Sequence, residues 1–67
     1  MVAVVLPAET SIELHNESKI NLGVCDIERR NGFERRYVLG PDERKRVVLA
    51  AGEVYITKSS GVVIHGL

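Results

Sequence analysis

The stretch whose reading decides the fold is Val24-Cys25-Asp26-Ile27-Glu28-Arg29-Arg30-Asn31-Gly32-Phe33-Glu34-Arg35-Arg36-Tyr37-Val38-Leu39. At its centre stands Asn31-Gly32. This dipeptide marks a two-residue hairpin loop, because a type I′ turn needs positive φ at both central residues. With Asn31 and Gly32 in the loop, Arg29 faces Glu34 and Glu28 faces Arg35. Both pairs join opposite charges across the ladder, which is favourable on a sheet. Farther from the turn, Cys25 faces Val38 and Val24 faces Leu39. The stretch therefore reads as an antiparallel hairpin with a charged tip and an apolar base.

The rest of the chain follows the same pattern on either side. Val2–Leu6 is rich in β-branched residues and stops at Pro7. Ser11–His15 alternates, with Ile12 and Leu14 on one face. Ile20–Ile27 alternates too, with Ile20, Leu22 and Val24 on one face and Gly23 marking a bulge or a close backbone approach. Phe33–Leu39, Arg46–Ala50, Val54–Thr57 and Val62–His65 complete the strands. Gly40-Pro41-Asp42 reads as a turn in which Pro presets φ. A two-residue loop at Ala51-Gly52 puts Val48 opposite Tyr55 and Leu49 opposite Val54. Ser59-Ser60-Gly61 closes the last hairpin. Asp42–Ala51 has charges that would suit a helix dipole, but Val47-Val48 are β-branched and the segment is short, so it reads as strand. The expected fold class is all-β: a small antiparallel β-sandwich or barrel of five to seven short strands in consecutive hairpins, one domain over residues 1–67.

Composition narrows the function classes. Apolar residues make up 45% of the chain, enough for a packed core, and the core must be mostly Val, Ile and Leu because Trp is absent. A chain this short buries only about 60% of its unfolded surface. Small folds usually draw on a disulfide, a metal or a partner subunit. Cys25 is the single cysteine, so no internal disulfide forms. His15, His65 and Cys25 lie far apart in sequence without metal-ligand spacing. By elimination, a partner subunit or a larger body is the expected source of added stability. Met1–Leu6 is apolar but too short for a signal peptide and has no basic start. No apolar run is long enough to span a membrane. The expectation is synthesis in the cytoplasm, with no membrane partner.

Charge is balanced overall but unevenly spread. Residues 1–27 hold four acids against Lys19, whereas residues 28–46 hold seven basic groups against four acids. Such a chain is able to complement a copy of itself.

Catalysis would need a nucleophile and a base in reach of each other, and no local motif brings Cys25 to His15 or His65. Cys25, in an alternating strand, reads as a core residue. His65 reads as an exposed strand residue, and His15 as the end of a strand before Asn16, at a turn. No glycine-rich phosphate loop is present, since Gly23, Gly32 and Gly40 are dispersed. Asn16-Glu17-Ser18 matches the glycosylation pattern but reads as a turn. The chain is expected to be non-enzymatic, with no catalytic residue, cofactor or metal set.

Two binding chemistries remain. The basic stretch from Arg29 to Arg46 includes Phe33 and Tyr37, which are able to stack on bases. Against a nucleic acid, the net charge is zero, and phosphate-tracking surfaces carry a positive excess. Protein contact is the stronger reading, because Arg and aromatic residues are favoured interface anchors. The candidate interaction residues are Arg29, Arg30, Phe33, Arg35 and Arg36. The segments Val2–Leu6 and Val62–Leu67 are able to add as strands to a neighbour's sheet.

One order of pieces resembles small structural proteins of tailed bacteriophages. The pieces are Leu14-His15-Asn16-Glu17-Ser18, Ile20–Gly23, Leu39-Gly40-Pro41-Asp42-Glu43, Val47–Gly52, Val54-Tyr55-Ile56, Ser59-Ser60-Gly61 and Val62–Ile64. Together they cover most of residues 12–66. The order is similar to that of β-sandwich or barrel modules in capsid decoration, head-fibre and connector proteins. The Asn31-Gly32 hairpin lies outside this pattern, and no functional residue carries over. The resemblance implies a homo-oligomeric virion structural protein, located in the virion, that decorates or cements a capsid. Its partners would be copies of itself and a larger protein assembly. Two alternatives are a small β-barrel that binds nucleic acid through Arg29, Arg30, Arg35, Arg36 and Arg44–Arg46, and a regulator or inhibitor that presents the hairpin to a host protein.

Overall fold

The computed structural model describes residues 1–67. The chain forms seven strands: β1 (Val2–Leu6), β2 (Thr10–Asn16), β3 (Gly23–Arg29), β4 (Gly32–Leu39), β5 (Arg44–Leu49), β6 (Gly52–Lys58) and β7 (Val62–His65). They make two antiparallel sheets. One has four strands in the order β1-β6-β3-β4, and the other has three in the order β5-β2-β7. The result is a small all-β sandwich, and Asp42–Ala51 contributes a strand and no helix.

The two sheets enclose one core. Leu6, Ile12, Leu14, Cys25, Ile27, Leu39, Val47, Leu49, Val54, Ile56 and Val62 are buried together. They sit at alternate positions, as a strand with one covered face requires. Burying each Val, Leu or Ile side chain contributes roughly 1.5–3 kcal/mol, so this double row is a main favourable contribution to folding. No buried side-chain nitrogen or oxygen lacks a partner.

The connections differ from a run of consecutive hairpins. Only β3 and β4 are adjacent both in sequence and in a sheet; every other connection passes from one sheet to the other. Val48 therefore lies opposite Ser11 and Leu49 opposite Thr10, both on β2. Val54 and Tyr55 lie opposite Val4 and Ala3 on β1. The expected pairs Val48–Tyr55 and Leu49–Val54 do not form, and Ser59-Ser60-Gly61 leads from one sheet into the other. A turn signal reports that the chain reverses, not where the next strand lies. A single sheet of seven half-apolar strands would leave its apolar face in water, whereas crossing to the facing layer buries both rows.

The hairpin is present, but in another register. Arg29 pairs with Gly32, so the loop is Arg30-Asn31, and Glu28 pairs with Phe33. Gly32 alone carries positive φ (132°), where a type I′ turn would need it at Asn31 too. A bulge then shifts the ladder, so that Ile27 faces Arg35, Asp26 faces Arg36, Cys25 faces Tyr37 and Val24 faces Val38. The expected pairs Glu28–Arg35, Cys25–Val38 and Val24–Leu39 are replaced. The physical reason is the core. A slip of one residue flips side chains to the other face. The expected register would have put Leu39 on the face opposite Cys25 and Ile27. The observed one places all three inside.

A second correction concerns Ile20–Ile27. The strand starts at Gly23, and its inward row is Cys25 and Ile27. Ile20 and Leu22 are 84% and 66% exposed. Residues before Gly23 are held as a loop by side chains. Ser18 Oγ accepts from the N–H groups of Ile20 (3.3 Å) and Asn21 (2.9 Å). Such local bonds compete with strand pairing.

The corner of the sandwich rests on Asn16. It is fully buried, and its Nδ2 donates to the carbonyls of Asn21 (2.8 Å), Gly40 (3.0 Å) and, more weakly, Leu39 (3.3 Å). Its Oδ1 accepts from Ser18 N–H. Asn16-Glu17-Ser18 thus does lead into a turn, with its carboxamide enclosed. Gly40–Glu43 is a second turn, closed by Glu43 N–H on the Gly40 carbonyl. Pro41 takes its first central position and Asp42 (φ 60°) its second, as a type II turn requires. Gly23 serves close approach: a Cβ there would lie 2.6 Å from Val62 Cγ2.

Candidate interaction surface

A sandwich exposes four edge strands, and here they are of two kinds. The order of strands makes β1 and β4 the edges of one sheet, and β5 and β7 the edges of the other. β4 carries Glu34, Arg35 and Arg36, and β5 carries Arg44, Lys45 and Arg46. Among these, Arg35 and Lys45 belong to the inward rows, opposite the buried Ile27 and Leu14. Inward-pointing charges on an edge strand resist pairing with another chain. The two cations flank Tyr37, with Arg35 Cζ 5.3 Å and Lys45 Nζ 6.0 Å from its ring centre. β7 is only four residues long and ends at His65. β1 has five residues, no charge and no bulge.

The five residues singled out from sequence fall along the hairpin, but in different roles. Arg29 folds back on its own chain. Its Nη2 donates to the Ala50 carbonyl (3.0 Å), its Nη1 to the Glu53 carbonyl (3.4 Å), and its Nε lies 3.4 Å from Glu34 Oε1. Its side chain is 19% exposed, against 84% for Arg30, whose Nη2 reaches Glu53 Oε2 at 4.0 Å. Arg36 makes a two-pronged contact with Asp26, at 2.7 and 2.9 Å. This guanidinium holds the Asp26 carboxyl below its ordinary value. Arg35 stacks on Tyr37, and Phe33 stands exposed beside the turn. The five residues do not converge on one spot.

Some of the charges expected to complement another copy are used within this one. Glu13, from the acidic part, binds Arg44 of the basic part at 2.9 Å, and Asp26 binds Arg36. Between the hairpin tip and the β5–β6 connection lies an open cleft of about 720 Å³, lined by Arg29, Arg30, Asn31 and Glu34 on one side and by Ala50 to Glu53 on the other. Its arginines and glutamates pair with one another.

The titratable groups weighed for catalysis are also placed. Cys25 is fully enclosed in the core, where burial, with help from Asp26, pushes its thiol up. His15 does stand near the end of β2, just before Asn16, but within the strand and not in a turn; it is buried, with Nε2 3.0 Å from Asp42 Oδ1. Lys19 Nζ reaches the same oxygen at 3.0 Å, and together they hold the Asp42 carboxyl down. His65 is exposed at the end of β7. No group of three or more His, Cys, Asp or Glu side chains gathers to hold a metal ion. Edge position was the signal that sequence reasoning lacked for β1 and β4: it depends on strand order, which no local pattern encodes.

Comparison with protein-family models, with curated proteins and with solved structures yields no match to this chain.

Proposed function

We propose that the chain is a non-enzymatic structural subunit that acts by contact with copies of itself and with a larger protein assembly, as capsid decoration or cement proteins of a virion do. The observation that carries this reading is the spread of large apolar side chains over the outside of the sandwich. Val5 of β1, Val38 of β4 and Val48 of β5 are exposed, as are Phe33 at the hairpin and Ile20 and Leu22 in the loop before β3. Scattered exposed apolar residues are ordinary; Ile20 and Leu22, 84% and 66% exposed in one short loop, and Val5 on the uncharged β1 are the ones that a covering partner would bury. The resemblance to phage structural modules supplies the virion setting.

The test is molar mass in solution by light scattering over a concentration series, at low and at high salt. Apolar and backbone contacts are little screened, so mass above the monomer is expected to persist at high salt. A monomer at every concentration would overturn the reading.

A second reading rests on Arg35 and Lys45, which have no carboxylate within ion-pair distance and flank Tyr37. A single-stranded nucleic acid would find there cations and an aromatic ring. Binding of labelled DNA or RNA that falls steeply with salt is the expected sign, and no binding at low salt removes it.

A further inference from the structure

We propose that β1 is the seam of a two-fold dimer, in which it pairs antiparallel with the β1 of a second copy and joins two four-stranded sheets into one of eight. The inference rests on the self-association reading and deepens it by naming the edge and the partner. Each edge strand other than β1 carries a feature that opposes pairing. β4 has a bulge and the inward Arg35, β5 has the inward Lys45, and β7 is four residues long. β1 pairs with β6 without interruption, Val2 to Ile56 through Leu6 to Gly52, and its other side is unpaired.

The strand fits its own copy. With the two-fold axis at Val4, Val2 pairs with Leu6 of the second copy, Ala3 with Val5 and Val4 with Val4. All five residues are paired, and no charged side chain meets another. The axis stands perpendicular to the sheet, so each inward row stays on the inward side. Val2 and Val4 belong to that row but stay partly exposed at the edge of the larger sheet. The partner's matching row would lie beside them. The one charged residue next to β1 on β6 is Glu53, opposite Val5, and Arg30 faces its carboxylate. Two copies also carry no net charge to drive them apart. A foreign strand would need only backbone groups; a second copy satisfies backbone, side-chain size and charge together.

A seam of one short strand is small, so dimerisation depends on concentration. Two double variants test it on the exposed outer face of β1, where core packing is untouched: Ala3→Lys with Val5→Lys, and Ala3→Glu with Val5→Glu. In the proposed pairing residue 3 faces residue 5 of the other copy, so each variant sets like charges opposite each other. At concentrations where the wild type is dimeric, each variant alone is expected to show half the wild-type mass with an unchanged far-UV circular dichroism spectrum. Mixed in equal amounts, the two variants are expected to recover the dimer mass. A wild-type oligomer that ignores both variants, or variants that stay monomeric when mixed, would overturn the β1 seam and leave self-association standing. A wild type that is monomeric throughout overturns both.

Discussion

Asn16 on β2 donates a hydrogen bond from its side-chain Nδ2 to the main-chain carbonyl of Gly40, 3.0 Å away, and so ties one sheet to the end of β4 in the other. The same amide group serves Asn21 and Leu39, and none of it reaches solvent. Replacing Asn16 by Ala strands the buried Leu39 carbonyl and takes a donor from the part-buried carbonyls of Asn21 and Gly40. A loss of about 1–3 kcal/mol is expected for buried groups left without a partner. Asn16→Asp should cost more, because a carboxylate would face carbonyl oxygens. Urea unfolding followed by circular dichroism measures both, and midpoints equal to the wild type would contradict this role.

Gly23 gives a test by addition. Its missing Cβ would sit 2.6 Å from Val62 Cγ2 and 3.0 Å from Asn16 Cγ. Gly23→Ala is expected to lose about 1–3 kcal/mol through overpacking. Val62→Ala removes the nearer obstacle. The double variant should therefore lose less than the sum of the two single ones. Strict additivity in thermal unfolding would mean that the contact with Val62 is not what excludes a side chain.

The acid limb of stability should belong partly to two aspartates. Arg36 lowers Asp26, and His15 with Lys19 lowers Asp42, from an ordinary value of 3.8. A carboxyl lowered in the folded state stabilises the fold above its unfolded pKa, and that stability is lost as pH falls through the folded value. The melting temperature should drop as pH is taken below about 4. In Asp26→Asn with Asp42→Asn the drop should be shallower, with a lower melting temperature at neutral pH. An acid limb as steep as the wild type's would show that other groups produce it.

Arg29 should prove to be a staple of the fold. Its two donations to the Ala50 and Glu53 carbonyls lock the hairpin to the β5–β6 connection. Arg29→Lys cannot reproduce a planar fork that reaches two acceptors. A loss of about 1 kcal/mol is expected for either Lys or Ala, as for hydrogen bonds on the protein surface. Amide hydrogen exchange should speed up at Gly52 and Glu53, while self-association stays unchanged. Weakened association with unchanged exchange would return Arg29 to the interface.

Several features were readable along the chain because their causes are local. β1 and β7 begin and end where Val2–Leu6 and Val62–His65 predict, since β-branched runs bounded by turn residues need no distant partner to declare themselves. Cys25 is in the core, and Gly23 does mark a close approach. The hairpin between β3 and β4 was readable as a hairpin but not in register, because Leu39 and Ile27 compete with the turn for control of the ladder. Of the candidate surface, Phe33 is exposed, as an interaction residue must be, whereas Arg29 was not recognisable as a staple. Its acceptors are main-chain carbonyls more than twenty residues away.

By itself, the amino-acid sequence determined that this chain is all-β, where its strands lie to within a few residues, and where it turns. Alternation and turn chemistry act over a handful of neighbours, and they hold whichever strand lies alongside. Only the tertiary structure decided the strand order, the hairpin register and the choice of open edge. Each depends on burying two apolar rows against each other at once, a condition on pairs of strands far apart in sequence. Val2–Leu6 reads as a strand in any arrangement; as an uncharged outer edge beside β6 it exists only because β4 took the other edge of that sheet.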